Sequence, residues 1–236
     1  MSWYIGLYER TGIMAEPWVK AGYSALCVDI NNEEGERDGI TFVKADMRMW
    51  VPPREIVLEG AVFVSAFPPC DHLAISGARW FKGKGLRALS SSIELFERAT
   101  FWCEWFGAPY FIENPVSTIK TYWRSPDHYF DPYEFGGYLP VYDVHPIWPK
   151  QFPAQDAYYK KTCLWTGHNF VMPTANPILP EDENTFHSSK RRQSKQGGRS
   201  KQHKLLRSST PRGFSEAVWL ANDPKLGNAT NRKKTK

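Results

Sequence analysis

The segment Ala61-Val62-Phe63-Val64-Ser65-Ala66-Phe67-Pro68-Pro69-Cys70 decides how the rest of the chain is read. An apolar run rich in valine and phenylalanine, stopped by two prolines, predicts a buried strand that enters a rigid turn. Cys70 then stands at the carboxyl end of that strand. In an open α/β sheet this is the edge where ligands bind, so a thiol there is placed for chemistry. For a lone Pro-Cys pair the competing reading is inert packing of a small apolar side chain.

Downstream, Asp71 to Arg87 holds three glycines and the four cations Arg79, Lys82, Lys84 and Arg87 against the single acid Asp71. This composition predicts a flexible basic loop beside the thiol, suited to closing over a phosphate backbone. Upstream, Trp3 to Tyr8 reads as a first strand, followed by a turn ending at Thr11-Gly12. Met14, Trp18 and Ala21 then recur at helical spacing, which predicts a helix from Met14 to Tyr23 with Gly22 as its cap. Ser24 to Asp29 gives a second strand. Strand, glycine turn, helix and a strand ending in an acid make a nucleotide-type βαβ unit, whose acid takes a ribose diol through its two oxygens. Ile40 to Met47 repeats the arrangement, with Asp46 at the strand's end.

Beyond the basic loop, Ser91 and Glu94 stand at capping-box spacing and predict a helix start. Ile93, Phe96, Trp102, Cys103 and Phe106 supply its apolar face, and Gly107 ends it. Pro109 to Ile112 is a fifth strand, running into Glu113-Asn114-Pro115. A carboxylate on that edge can be a general acid or a hydrogen-bond partner; a solvated loop residue is the alternative. Tyr122 to Pro153 is dense in proline and aromatic residues, with a turn at Phe135-Gly136-Gly137-Tyr138, and Asp156 to Trp165 reads as a late strand.

Composition bounds the rest. A chain of 236 residues suits one sizeable core. Its four cysteines occur singly, which argues against a disulfide framework or a zinc ribbon and for reduced thiols in a cytoplasm. The six histidines are scattered, so no metal site is expected. No run approaches membrane-spanning length and no secretory leader is evident, so a soluble cytoplasmic protein, monomeric and free of membrane partners, is expected. The net charge of +5 hides an asymmetry: residues 1–183 hold 16 Lys and Arg against 23 Asp and Glu, residues 184–236 hold 14 against 2. A basic tail on an acidic body suggests a nucleic-acid contact confined to one segment, a solvated tail being the bland alternative. Residues 184–215, which include Lys190, Arg191 and Arg192, are too polar to bury a core. Structure is expected to return at Thr210-Pro211, with Phe214, Val218 and Leu220 on a closing helix through Asn222.

The ordered set Gly12, Asp29, Asp46, Pro69-Cys70, Glu113-Asn114-Pro115 and a proline-initiated final helix resembles the DNA cytosine-5 methyltransferase family. The resemblance covers most of residues 3–222. Its most specific parts are Phe67-Pro68-Pro69-Cys70 with Ser76-Gly77, and Glu113-Asn114-Pro115; Ala21-Gly22-Tyr23 with Asp29 also fits. It implies an α/β, Rossmann-like sheet with helices on both faces, binding S-adenosylmethionine. Residues 1–166 would form the catalytic and cofactor-binding core, 167–207 a short basic target-recognition segment, 208–222 the returning helix and 223–236 a basic tail. Tyr8, Thr11, Gly12, Asp29, Asp46 and Pro68 would line the cofactor site, Asp29 on the ribose hydroxyls and Asp46 near the adenine.

The same resemblance makes Cys70 the nucleophile and Glu113 the partner of the target cytosine, flipped out of DNA. Arg79, Lys82, Lys84, Arg87, Lys160, Lys161, Lys190, Arg191 and Arg192 would contact the DNA. The chain departs from the family's first loop at Gly6, Arg10 and Ile13, and lacks its late Gln-x-Arg-x-Arg motif, for which Tyr158 to Thr162 is a loose substitute. So compact an enzyme would suit a phage or mobile element. Two other readings stand beside it: the same fold acting on RNA or a cytosine nucleotide, and a catalytically silent nucleic-acid-binding protein.

Overall fold

A computed structural model describes residues 2–180 and 208–227. Their strands form one eight-stranded mixed sheet in the order β3-β4-β2-β1-β5-β6-β8-β7. The strands are β1 (Trp3–Leu7), β2 (Ser24–Asp29), β3 (Gly35–Arg37), β4 (Ile40–Lys44), β5 (Ala61–Ala66), β6 (Tyr110–Pro115), β7 (His128–Phe130) and β8 (Thr162–Gly167). From β4 to β6 neighbouring strands pair parallel, while β3, β8 and β7 each pair antiparallel. The chain moves from β1 outward through β2 and β4, then returns to the other side of β1 as β5 and β6. Its direction of progress therefore reverses between β1 and β5, and ligands of open α/β sheets bind in the crevice at such a switch point.

The alternation of side chains along each strand divides the core in two. Ile5, Leu7, Leu26, Val28, Val64, Ala66 and Ile112 face one layer with Ile56 of α2 (Arg54–Glu59) and Phe96, Ala99 and Trp102 of α3 (Phe81–Phe106). Tyr4, Ala25, Cys27, Phe63 and Phe111 face the other, where they meet Trp18 of α1 (Glu16–Lys20) and Phe214, Ala217 and Val218 of the last helix. Trp18 stacks on Phe63 at 5.0 Å between ring centres, so α1 is pinned over the middle of the sheet. A one-turn α4 (Ile119–Tyr122) follows β6, and α5 (Arg212–Asn222) is the closing helix that the sequence predicts. The fold is α/β with helices on both faces.

Several boundaries differ from the sequence reading. Helix α1 spans only Glu16–Lys20, because Pro17 lacks an N–H and fits only the first turn of a helix. Instead of a loop, Ile75–Trp80 is a 3-10 turn and α3 begins at Phe81, with a break at Gly85 (φ 75°). Ser91 and Glu94 are therefore mid-helix and cap nothing; both bind the Arg48 guanidinium instead. Strand β8 starts at Thr162, since Gln155 and Asp156 take left-handed φ values of 52° and 48° and turn the chain before it. The β3–β4 hairpin was not anticipated, although its turn carries the signal Asp38-Gly39, both residues at positive φ. Leu220, assigned to the buried face of the closing helix, is 44% exposed, the apolar face being Phe214, Ala217 and Val218. Residues 170–178, the described start of the proposed recognition segment, are anchored to the core: Phe170 and Met172 pack on it, and Asn176 and Ile178 donate backbone N–H groups to Glu134 and Tyr133.

Candidate active site

Two loops at the carboxyl edge are tied into one rigid rim. Asn114, buried at the end of β6, donates through Nδ2 to the Pro68 carbonyl at 2.9 Å and so fixes the Pro-Pro turn to the Glu113-Asn114-Pro115 corner. The Cys70 carbonyl accepts the N–H groups of Leu73 and Ala74 at 3.0 and 2.9 Å, which makes Cys70 the first residue of a tight turn. The chain beyond it is zipped to the chain beyond Glu113, because Ile75 donates to Val116 and Thr118 to Leu73, both at 3.0 Å. Phe67 extends the pairing of β5 by donating to Leu7 at 3.0 Å.

Cys27, Cys103 and Cys163 are buried, while Cys70 is partly exposed. Its thiol is pushed up to about 11, first by desolvation, then by the negative charges of Glu113 and Asp71, with Lys160 opposing. Burial likewise raises the Glu113 carboxyl, again against Lys160. Glu113 Oε1 is buried and accepts no hydrogen bond among the described residues. The acid opens on a small cavity lined by Phe67, Glu113, Lys160, Thr162, Thr210 and Phe214. A thiol, a carboxyl whose burial makes it hold its proton more tightly than usual and a cation that acts on both make an arrangement able to add a nucleophile while donating to a neighbouring atom.

Lys160, expected on a phosphate, thus belongs with Cys70 and Glu113. Its backbone N–H donates to Asp131 at 2.6 Å, and it stands just before β8, whose Thr162 pairs with Pro115. The far wall of the cavity comes from the residues before α5. They are held by a partly buried ionic clamp that sequence reading missed. Arg212 forks onto both carboxylate oxygens of Asp143 and lies 3.5 Å from Asp156, which also accepts the Gly213 N–H at 3.0 Å. No local pattern announces a contact between residues so far apart in the chain; only the Thr210-Pro211 helix start was legible.

On the other side of the switch point the acids are tied within the chain. Asp29 is buried, and its Oδ1 accepts from Asn31 N–H at 2.7 Å and Asn31 Nδ2 at 3.0 Å, with Arg10 Nε 3.9 Å away. Its Oδ2 accepts no hydrogen bond among the described residues, which leaves one carboxylate oxygen for a ribose hydroxyl. Asp46 receives the Arg48 backbone N–H at 3.0 Å and the Arg48 guanidinium at 3.2 Å, and Arg48 also binds Glu94 at 2.9 Å. Tyr8, in a left-handed conformation (φ 58°), packs into the core and donates its hydroxyl to Leu95 of α3 at 2.6 Å, so its ring is a wall rather than an open platform. Glu9, not singled out by sequence, is 2% exposed and accepts from Thr11 N–H, Thr11 Oγ1 and Gly12 N–H at 3.1, 2.8 and 3.0 Å. These residues fit an adenosyl group at Asp29. They do not offer the loop's Thr11 and Gly12 N–H groups to a ligand.

The cations Arg79, Lys82, Lys84 and Arg87 are exposed on the 3-10 turn and the first turns of α3. Arg79 lies over the half-exposed Trp80 at 5.0 Å, and Lys161 is 5.5 Å from the Tyr129 ring. Lys190, Arg191 and Arg192 fall outside the described residues. Among the described residues no cluster of three or more His, Cys, Asp or Glu side chains could hold a metal ion, and no helix is long and apolar enough to cross a membrane. No protein-family model matches the chain, and no curated protein matches it.

Proposed function

We propose that this protein methylates cytosine at C5 in DNA, using S-adenosylmethionine. The observation that carries the reading is the convergence of Cys70 and Glu113 on one rigid rim at the switch point, with Lys160 acting electrostatically on both. Cytosine C5 is a poor nucleophile. Bond formation between Cys70 Sγ and C6 opens the C5=C6 double bond and moves its electrons toward C5 and N3. Glu113, whose burial favours the protonated form, supplies the hydrogen bond at N3 that this charge requires. Asp29, with the walls at Tyr8, Asp46 and Pro68, would hold the cofactor, which supplies an electrophilic methyl group on a sulfonium sulfur. Once C5 carries the methyl group, water takes the C5 proton, the C5=C6 double bond reforms and the C6–Sγ bond breaks. Cys70 is released as the thiolate, the form in which it attacked after giving its proton to solvent.

A base within a duplex cannot reach such a rim while stacked, so the target must be extruded. The exposed Arg79, Lys82, Lys84 and Arg87 lie on the segment that leaves the Cys70 turn, where they would meet the phosphates flanking that base. Lys160 balances the carboxyl and the thiol rather than contacting phosphate.

The test is nucleoside mass spectrometry on DNA from cells that express the protein, with a Cys70→Ala variant alongside. Formation of 5-methylcytosine only with the intact thiol is the expected result. If neither protein raises it, DNA methylation is overturned; 5-methylcytidine in RNA would transfer the same chemistry to RNA. Absence of both, with no rise of Tm at millimolar S-adenosylmethionine, would favour a protein that binds nucleic acid without catalysis.

A further inference from the structure

A loop that follows the first strand of an α/β sheet ordinarily meets anionic ligands through its backbone N–H groups. Here Thr11 and Gly12 donate theirs to Glu9, which the fold holds firmly: its own N–H donates to Val28 at 3.1 Å and its carbonyl accepts Asn32 Nδ2 at 3.1 Å. A ligand anion cannot take those N–H groups without expelling a carboxylate that is 2% exposed.

One strong donor remains on the loop. The Arg10 side chain is 30% exposed, and its one contact among the described residues is the long 3.9 Å approach of Nε to Asp29 Oδ1. Its two terminal nitrogens bind nothing among the described residues. In the sheet β1 lies between β2 and β5. A ligand whose diol rests on Asp29, after β2, and whose reactive end reaches Pro68 and Cys70, after β5, must cross the loop after β1, where Arg10 stands. We infer that Arg10 binds the carboxylate of the cofactor's aminoacyl arm, replacing the backbone donors that Glu9 has taken. This rests on the cofactor reading above. A guanidinium suits the role because its parallel N–H groups match a carboxylate in a bidentate pair, which a lysine cannot reproduce. The 3.9 Å approach of Arg10 to Asp29 places the side chain beside the residue that would take the diol.

The experiment is calorimetric titration of the full chain with two probes. S-adenosylhomocysteine carries the aminoacyl arm, and 5′-methylthioadenosine lacks it. Arg10→Gln should weaken S-adenosylhomocysteine by about ten- to hundredfold, the loss expected for a charge-assisted hydrogen-bonded pair, and leave 5′-methylthioadenosine unchanged. Arg10→Lys should fall between the two. Equal weakening of both ligands would make Arg10 a structural residue, and tighter binding of both would make it a plug on Asp29; either overturns the inference alone. A parent protein that binds neither ligand overturns the cofactor reading, and this inference with it.

Discussion

Glu9 and Glu113 are both acids set at the carboxyl ends of parallel strands, and burial raises both, yet the chain uses them in opposite ways. One oxygen of Glu9 accepts three hydrogen bonds from its own loop, which turns a segment that would otherwise face a ligand into a self-contained structure. Glu113 meets no donor at Oε1 among the described residues, lines a small cavity and acts electrostatically on the Cys70 thiol. Each acid keeps one buried oxygen without a hydrogen-bond partner among the described residues, Oε2 in Glu9 and Oε1 in Glu113. The difference therefore lies elsewhere: Glu9 Oε1 ties together its own loop and supports the fold, whereas Glu113 faces a cavity, where a buried acid costs stability and can act on a ligand. The contrast separates the two sides of the switch point, the β1–β2 side being tied internally and the β5–β6 side held in readiness.

The largest effect that tests this contrast is on the ready side. Cys70→Ala should reduce 5-methylcytosine formation by about 10³-fold or more, since a covalent route is lost outright, while Tm stays within about 2 °C because the side chain is partly exposed and stands outside both apolar core clusters of the described residues. Thermal unfolding beside a methylation assay reads both; a large fall in Tm would move Cys70 to the structural side. Glu9→Ala should do the reverse. It strands the Thr11 and Gly12 N–H groups, and a loss of about 1–3 kcal/mol, or roughly 3–10 °C in Tm, is expected from unsatisfied buried donors. An unchanged Tm would show that the loop does not depend on its acid.

A smaller effect sharpens the electrostatics around the thiol. Because Cys70 is the partly exposed cysteine and its thiol is pushed up to about 11, its alkylation by iodoacetamide should rise about tenfold per pH unit from pH 7 to 10 without levelling. An ordinary thiol would level near pH 9. Lys160→Met removes the cation that favours the thiolate and should slow alkylation by about threefold; Glu113→Gln removes an opposing charge and should quicken it by a similar factor. Mass spectrometry of the modified peptide at each pH gives the rates, and no change in either variant would remove Lys160 and Glu113 from the thiol's surroundings.

The division between the two sides also marks what the sequence made legible. Strands β2 and β5 were readable to the residue because their apolar runs end in an acid or in prolines, so Asp29, Pro68 and Cys70 could be placed on the edge in advance. Glu113 was found for the same reason. The nearness of Lys160 to Glu113 was not legible, because it depends on the left-handed turn at Gln155-Asp156, which no glycine announces. The start of α3 was missed because serine and glutamate at capping-box spacing also suit an exposed helix face, here turned toward Arg48. The Arg212 clamp joins residues separated by 69 positions, and only the folded chain brings them together.

The smallest effect bears most directly on Glu113. A carboxyl whose native value is raised above its unfolded value binds protons more readily in the folded protein. Its favourable contribution is complete below the unfolded value, near 4.3, and is lost as pH rises through the raised native value. Glutamine, which is neutral throughout, suffers no such loss. The Tm of Glu113→Gln should therefore equal that of the parent near pH 4 and exceed it increasingly as pH rises, by a few degrees at most, before the gap levels off. Melting curves of the two proteins in matched buffers from pH 4 to 8 measure the gap. Because every other titrating group is common to both, the difference isolates this one carboxyl. A gap that shrinks with pH would mean that Glu113 is stabilised as the anion, as a paired structural acid would be, and the distinction from Glu9 would collapse.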